Sequence, residues 1–426
     1  MEYRLTYDTL LADLHQAWFD ARRHKRRKSY QQRFEARAEA NLQALALELW
    51  ERSYEPRPSS CFIITDPKKR EVFAAEFRDR IVHHLYYNYT HQMLERTFIQ
   101  DTYSCLRRRG THYGISRLER HIRRESRNYT VPCYVLKMDI KGYFMHISRQ
   151  RLLDITLRQL QRMGGHRVTT GLPGTWRERV DMDFVEYLTR LIILLNPIEG
   201  CRRRGTLLDW WGLPPSKSLF CSDEGCGLPI GNLTSQLFSN VYLNELDQYV
   251  KRTLKVRHYG RYVDDFYIVS SDRQWLHSLQ RPMAEFLQSQ LGLTVNASKT
   301  VICDVRQGVE FLGAYLKPRR RYVSTVSLNR MRKKIPTLRQ TEDPEQLRSR
   351  LNSFLGILSH YRSYRLRKEM FYGLRHVYRH GHYLQGMTKY VLKTHPGPPG
   401  SHGDSPRVRC EVNNSKSPAV LQAAGE

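Results

Sequence analysis

The sequence predicts an α+β fold, and two kinds of observation carry that prediction. Short apolar runs at residues 135–140, 262–270 and 309–316 read as strands, and the stretches between them place apolar residues at helical spacing. Two of those runs also bear acids where acids are costly. Asp139 closes the first, and Asp264 with Asp265 interrupt the second, in "GRYVDDFYIVSSD" at 260–272. A carboxylate among strand residues is expensive to desolvate unless a cation or a donor answers it, so something positive belongs beside these three.

Taken in order, the elements begin with a helix in which Leu10, Leu11, Leu14 and Trp18 recur on one face, followed by the basic run "RRHKRRK" at 22–28. This makes residues 1–53 a basic helical extension whose charges serve either as a solvated face or as phosphate contacts. In "CFIITDPKKREVFAAEFRDRIVHH", residues 61–84, the pattern is strand, basic turn, strand, then helix, with Asp-Pro as the turn signal. The three carboxylate-region strands fall within 135–324, interrupted by a helical segment at about 150–225. Beyond them, Leu347, Leu351, Phe354, Leu355, Leu358 and Tyr361 form one apolar helix face, so 325–390 reads as helical. The stretch "THPGPPGSHGDSP" at 394–406 is polar and rich in Pro and Gly, and residues 391–426 are expected to be a disordered tail.

Composition narrows the partner. Lys and Arg number 70 against 42 Asp and Glu, a net charge of +28, which suits a protein that holds a polyanion. Nucleic acid is the first expectation. A membrane is the rival, but the longest aliphatic run, 191–195, is far short of the roughly 20 residues a spanning helix needs. The opening "MEYRLTYDTLLADL" lacks the small-residue cleavage site of a signal peptide, so a soluble, cytoplasmic protein with no membrane partner is expected. Eight scattered cysteines without a C-x-x-C pair indicate neither a disulfide framework nor a zinc module, and Cys221 and Cys226 read as reduced thiols. His83 and His84 are adjacent, face different ways on a helix, and read as packing and surface groups.

The carboxylates find their explanation in phosphoryl transfer. "YVLKMDIKGYF", residues 134–144, ends an apolar strand in Asp139, and a strand-borne Asp followed by an Asp-Asp hairpin is what two-metal chemistry requires. Two Mg²⁺ ions about 4 Å apart activate an attacking hydroxyl and steady the phosphorus. Mg²⁺ takes oxygen ligands and keeps water, so a few carboxylates with substrate phosphates suffice.

The order of motifs around "YVDD" then resembles the reverse transcriptases over about residues 54–375. The matching blocks are "DPKKREVFAAEFRDRIVHH", "KMDIKGYF", "GLPIGNLTSQLFSNVYLNELD", "YVDD", "LTVNASKT" and "VEFLGAYL", in that order along the chain. The resemblance implies a right-hand polymerase with fingers at 54–134, a palm at 135–324 built on an antiparallel sheet, and a helical thumb at 325–390. It implies RNA-templated addition of deoxynucleotides to a 3′ hydroxyl, with template RNA, RNA/DNA heteroduplex and dNTPs as partners. Asp139, Asp264 and the Ile140 carbonyl would hold the two Mg²⁺, and Asp265 would tune or join one of them. Lys69 and Arg70 on the fingers turn would meet the triphosphate, with Lys68 able to replace Lys69. Arg78 and Arg80 read instead as structural partners of Glu76 and Asp79. Lys141, Gly142, Phe144, Ile230 and Gly231 would line the nucleotide pocket. Phe144 would stand against the sugar 2′ position or else be a core ring, and Gly231 would give backbone freedom where the loop nears a base pair. Lys299 would either protonate the leaving pyrophosphate or form an exposed salt bridge.

Within that superfamily, "REVFAAEFRDRIVHH", "FIQDTYSCLRRRGTH", "KSLF", "LPIGNLTSQLFSNVYLN" and "YGRYVDDF" are most similar to the reverse transcriptases of diversity-generating retroelements. Ile230 stands where group II intron relatives usually have Gln, and "SCLRRRGTH" is more Arg-rich than the usual Lys/Gly mixture. That resemblance implies error-prone copying of a template-repeat RNA at adenines in a bacterium, archaeon or phage, together with a small basic helical accessory protein that forms an oligomer. A group II intron-like or antiphage-defence enzyme, and a non-catalytic RNA-binding module with a vestigial palm, are the alternatives.

Overall fold

The structure, a computed structural model, describes residues 3–23, 28–66, 68–168 and 174–393. Residues 24–27 of the basic run, Pro67 of the fingers turn and almost all of the expected tail lie outside the described residues. The chain divides into two compact units, Met1–Arg332 with His360–Ser363, and Lys333–Ser359 with Tyr364–Glu426.

The first unit opens with the helix Tyr7–Arg22, capped where the Thr6 hydroxyl accepts from Thr9 N. It buries Leu10, Leu14, Ala17 and Ala21 and packs on the helices Ala38–Trp50 and Phe77–Glu95. The expected strand–turn–strand follows, with β1 (Ser60–Ile64) antiparallel to β2 (Arg70–Ala74). After the helix Thr111–Glu125 comes β3 (Tyr134–Met138), and much later the two-residue β4 (Arg202–Arg203) pairs with β1 in parallel. Between β3 and β4, the helices Arg149–Gly164 and Met182–Leu194 pack on one another and on Phe77–Glu95. The helix Leu233–Gln248 has twelve buried residues among its sixteen, so it lies inside the unit with no polar outer face.

Next come β5 (His258–Tyr262), β6 (Asp265–Ser270) and β7 (Val301–Asp304), which with β3 make a four-stranded antiparallel sheet in the order β5-β6-β3-β7. Side chains alternate across it into two cores. Leu136, Met138, Phe266 and Ile268 join one, while Val135, Tyr267 and Val269 join the other. Being covered on both faces is why these strands read as unbroken apolar runs.

Two sequence-derived strands divide in the structure. Residues 262–270 contain the end of β5, a two-residue turn at Val263 and Asp264, and β6. Residues 309–316 form a hairpin of β8 (Val309–Phe311) and β9 (Ala314–Lys317), continued by β10 (Arg320–Val323). Leu312 and Gly313 turn it at φ 49° and 80°, the paired left-handed conformations that match a two-residue loop to strand twist. An apolar Leu in such a turn gave no turn signal.

The second unit is helical in the main. Pro344–Ser359 buries Leu347, Leu351, Leu355 and Leu358, and is followed by Tyr364–Phe371 and Val377–His380. Two expectations need correcting here. The unit also contains a hairpin, β11 (Gly381–Tyr383) with β12 (Tyr390–Leu392), where Asn352 bonds both backbone groups of Tyr390 at 2.8 and 2.9 Å. Tyr361 lies past the helix end and packs in the first unit with the Val135 core. The α+β class and the antiparallel sheet are as the sequence predicts.

Candidate active site

Register brings the acids together. Met138 pairs with Phe266, so the next step along both strands sets Asp139 opposite Asp265, and Asp264 occupies the adjoining turn. Asp139 is 5% exposed, and its Oδ2 accepts from Lys299 Nζ at 2.7 Å and Asn296 Nδ2 at 3.1 Å. Its carbonyl accepts from Asn296 N at 2.8 Å, and Lys141 N donates to Thr294 O at 2.9 Å. These bonds flank the Ile140 and Val295 bridge and turn the Ile140 carbonyl away from that ladder.

The charges are under-compensated. Burial, the Asp264 charge and a hydrogen bond with Asp139 push Asp265 up to about 7. Burial and the Asp139 charge raise Asp264 too, against the pull of Lys299 and Arg70. For Lys299, burial works against the charge, but its hydrogen bond and ion pair with Asp139, helped by Asp265 and Asp264, raise its pKa overall. Among the described residues no three His, Cys, Asp or Glu side chains cage an ion by themselves. A set of hard oxygen donors that repel one another, with too few of them to enclose an ion, fits Mg²⁺, which completes its shell with water and phosphate.

The expected nucleotide-pocket residues stand around this centre. Arg70 is exposed at the start of β2 and acts electrostatically on Asp264, while Lys69 Nζ donates to the Trp211 carbonyl at 2.6 Å. Gly142 has φ 57°, and a Cβ there would meet the Ser216 carbonyl at 2.7 Å and the His146 ring at 2.8 Å, so only glycine fits. Lys141 is exposed, and half-buried Phe144 lies edge-on to Tyr143. Phe144 and Ile230 pack on one apolar cluster of Cys61, Phe73, Met145 and Leu219. The Ile230 carbonyl accepts from Phe73 N at 2.8 Å, and a Cβ on Gly231 would come within 2.6 Å of Phe73 O. The close neighbour that requires Gly231 is thus strand β2. Arg78 pairs with the expected Asp79 and also with Glu48, whereas Arg80 bonds Ala75 O and Tyr30 rather than an acid.

Other residues of the site were assigned no role from the sequence. Glu71 is 1% exposed and accepts from Trp210 Nε1, Ser218 Oγ and Leu219 N at 2.6–2.9 Å. It fastens a segment that reaches from Lys69, through Trp211, to Gly142, through Ser216. Beneath the Asp264 turn, Arg261 and Asp247 form a fully buried pair with bonds of 2.8 and 2.6 Å. Arg261, between Gly260 and Tyr262 in a strand, was the available signal, since such a charge demands a partner. A groove of about 1210 Å³ beside Gly231 is lined by Lys28, Arg33, Arg57, Arg202 and Arg204. All described cysteines are free, and no described helix is long and apolar enough to cross a membrane.

Comparison with known proteins finds the following likenesses. Residues 216–316 match the family model "Reverse transcriptase (RNA-dependent DNA polymerase)". Protein YkfC of Escherichia coli (strain K12) is 24% identical over 338 residues, covering 70% of this chain and 78% of that protein. Among solved structures, telomerase from Candida albicans in complex with a telomeric RNA fragment aligns at TM-score 0.43 and 11% identity, over 76% of this chain and 58% of that one. Apo telomerase from Candida tropicalis aligns at 0.43 and 11%, over 76% and 60%. The chain spans about three fifths of the telomerase chains it matches. The match over residues 216–316 supports RNA-directed DNA polymerase chemistry, and the fold around it is α+β with an antiparallel sheet.

Proposed function

We propose that this chain makes cDNA from the template-repeat RNA of a diversity-generating retroelement, with errors concentrated at adenines. The observation that carries the polymerase reading is the gathering of Asp139, Asp264 and Asp265 at the adjoining ends of neighbouring strands, beside Lys299 and Arg70. Bound Mg²⁺ would supply the charge that acidifies the primer 3′ hydroxyl and steadies the phosphorus. Asp139 and Asp264, with the Ile140 carbonyl, are the groups to hold it, and Asp265 sets the charge around them. Arg70 neutralises the incoming triphosphate, with Lys69 beside it. Phe144 closes the space a ribose 2′ hydroxyl would need, and Gly231 lets the loop lie close to β2 beneath the nascent pair. Lys299 is positioned to give a proton to the departing pyrophosphate. The basic groove beside Gly231 supports a polyanionic template.

The retroelement assignment rests on the motif resemblance and on Ile230, an apolar side chain where more faithful relatives carry Gln. The same resemblance brings in a small basic helical accessory oligomer and a bacterial, archaeal or phage-infected cytoplasm as the setting. A template repeat with a variable copy in the flanking DNA is the observation that tests this finer assignment. For the polymerase reading, primer extension with dNTPs is measured on RNA and DNA templates for wild type, Asp139→Asn and Asp264→Asn. Wild type should extend on RNA with Mg²⁺. Both variants should be inactive yet melt no lower than wild type, because each removes one of several mutually repelling charges. Extension by both variants would refute the reading.

A further inference from the structure

The turn that presents Asp264 is held by side chains that the proposed chemistry does not itself use. Val263 sits at φ 55°, a left-handed conformation that a β-branched residue adopts only where its surroundings impose it. Both of its backbone polar groups are taken. Val263 N donates to Ser104 Oγ at 3.2 Å, and Val263 O accepts from Arg261 Nη1 at 3.0 Å. The two holders share a base. Ser104 Oγ donates to Asn240 Oδ1 at 3.2 Å, Arg261 Nη1 reaches the same oxygen at 3.2 Å, and Asn240 Nδ2 donates back to Ser104 O at 2.9 Å.

Ser104, Asn240 and Arg261 are all within 1% of complete burial, so water does not compete for these bonds. Their polarity is fixed: having accepted from Val263, the Ser104 hydroxyl has one proton, and it goes to Asn240. The Arg261 guanidinium is itself clamped by Asp247, and β5 is bound to the 101–104 segment by Arg261 N to Asp101 O and Tyr103 N to Arg261 O, each 2.9 Å.

We infer that Ser104 and Arg261, seated on Asn240, are positioning residues that hold the Val263 turn in its strained form and so aim the Asp264 carboxylate at the metal. The inference rests on the reading of the three acids as the metal-holding site. Loss of one holder lets Val263 relax toward ordinary strand geometry and swings Asp264 away. The result is a weaker hold on Mg²⁺ and a slower chemical step, with little change in how the nucleotide is bound.

The test uses the full chain in primer extension with a Mg²⁺ titration, alongside thermal melting. Ser104→Ala should lower kcat about ten-fold, the effect of one lost buried bond. It should also raise the half-saturating Mg²⁺ concentration several-fold while leaving the dNTP KM near wild type. Ser104→Thr, which keeps the hydroxyl, should stay close to wild type. Ser104→Ala with Val263→Gly should regain much of the lost kcat and Mg²⁺ response, because glycine takes the positive φ unaided. A purely structural role would lower the melting temperature without moving the Mg²⁺ response. Wild-type kcat and Mg²⁺ response in Ser104→Ala, or a deficit that Val263→Gly leaves untouched, overturns the inference while inactive Asp264→Asn preserves the site reading. An active Asp264→Asn overturns the inference, and activity in Asp139→Asn as well overturns the site reading.

Discussion

Replacing Asp247 by Asn should damage the protein far more than a one-atom change suggests. Asp247 receives Arg261 Nε and Nη2 at 2.8 and 2.6 Å, Tyr259 OH at 2.7 Å and Thr102 Oγ1 at 3.1 Å, with both charged side chains at 0% exposure. Burial works against the Arg261 charge, yet Asp247 raises its pKa above the ordinary value, so the guanidinium stays ionised and is left unanswered in the variant. Removing one partner of such a pair costs about 3–5 kcal/mol. Unfolding entropy of about 2.1 cal/mol/K per residue over roughly 330 residues gives ~0.7 kcal/mol/K, so melting should fall by about 4–7 °C. The double variant Arg261→Met/Asp247→Leu removes both charges and should recover most of that loss while remaining poor in extension. Circular dichroism melting of the three proteins checks both points. An Asp247→Asn protein that melts within a degree of wild type would show that the pair carries no such burden.

Phe144→Ala should raise the ratio of kcat/KM for ribonucleotides over deoxynucleotides, and the lost contact with the Met145 and Leu219 cluster should cost about 1–3 kcal/mol of stability; an unmoved ratio makes Phe144 a core ring. Ile230→Gln should reduce misincorporation opposite template adenine several-fold, about 1 kcal/mol of added discrimination, as read by deep sequencing of cDNA from one defined RNA. An unchanged spectrum with intact extension leaves Ile230 only its packing. Acid should destabilise the fold through His83 and His121, which burial pushes down to about 4. Below pH 6.5 the unfolded chain takes up protons that the folded imidazoles refuse, so their stability contribution is complete above about 6.5, declines as pH falls toward 4 and is level below it. His83→Asn should flatten part of that slope in urea melts taken between pH 7 and 4.

What the sequence made legible was local or repeated. Asp139 and the Asp264 pair stood out because apolar strand residues surround them, and β1, β2 and the Pro344–Ser359 helix followed from periodicity and turn residues. Long-range partners were hidden. The β1 and β4 pairing joins residues about 140 apart with only two residues of strand, too short to carry a pattern. Glu71, between Arg70 and Val72, carried no signal of its own, because its three donors come from residues 210–219. The hairpin at Leu312 was masked by an apolar residue in a left-handed turn, and Tyr361 fitted the helix face by spacing but joins another core.

Phe144 and Ile230 rest on the same small apolar cluster, which also carries Met145 and the Leu219 end of the Glu71-anchored segment. A close-packed group cannot yield at one point without shifting at the others. On the roles proposed for these two residues, choice of sugar and choice of base would share one mechanical support, and their free energies would be coupled rather than additive. A lineage under pressure to copy more loosely at the base would find its discrimination against ribonucleotides drifting as well, unless Phe73 or Leu219 changed in step to reseat the Phe144 ring. Variation at those two buried positions would then track the error spectrum, although neither one is a metal ligand or a member of the expected nucleotide pocket.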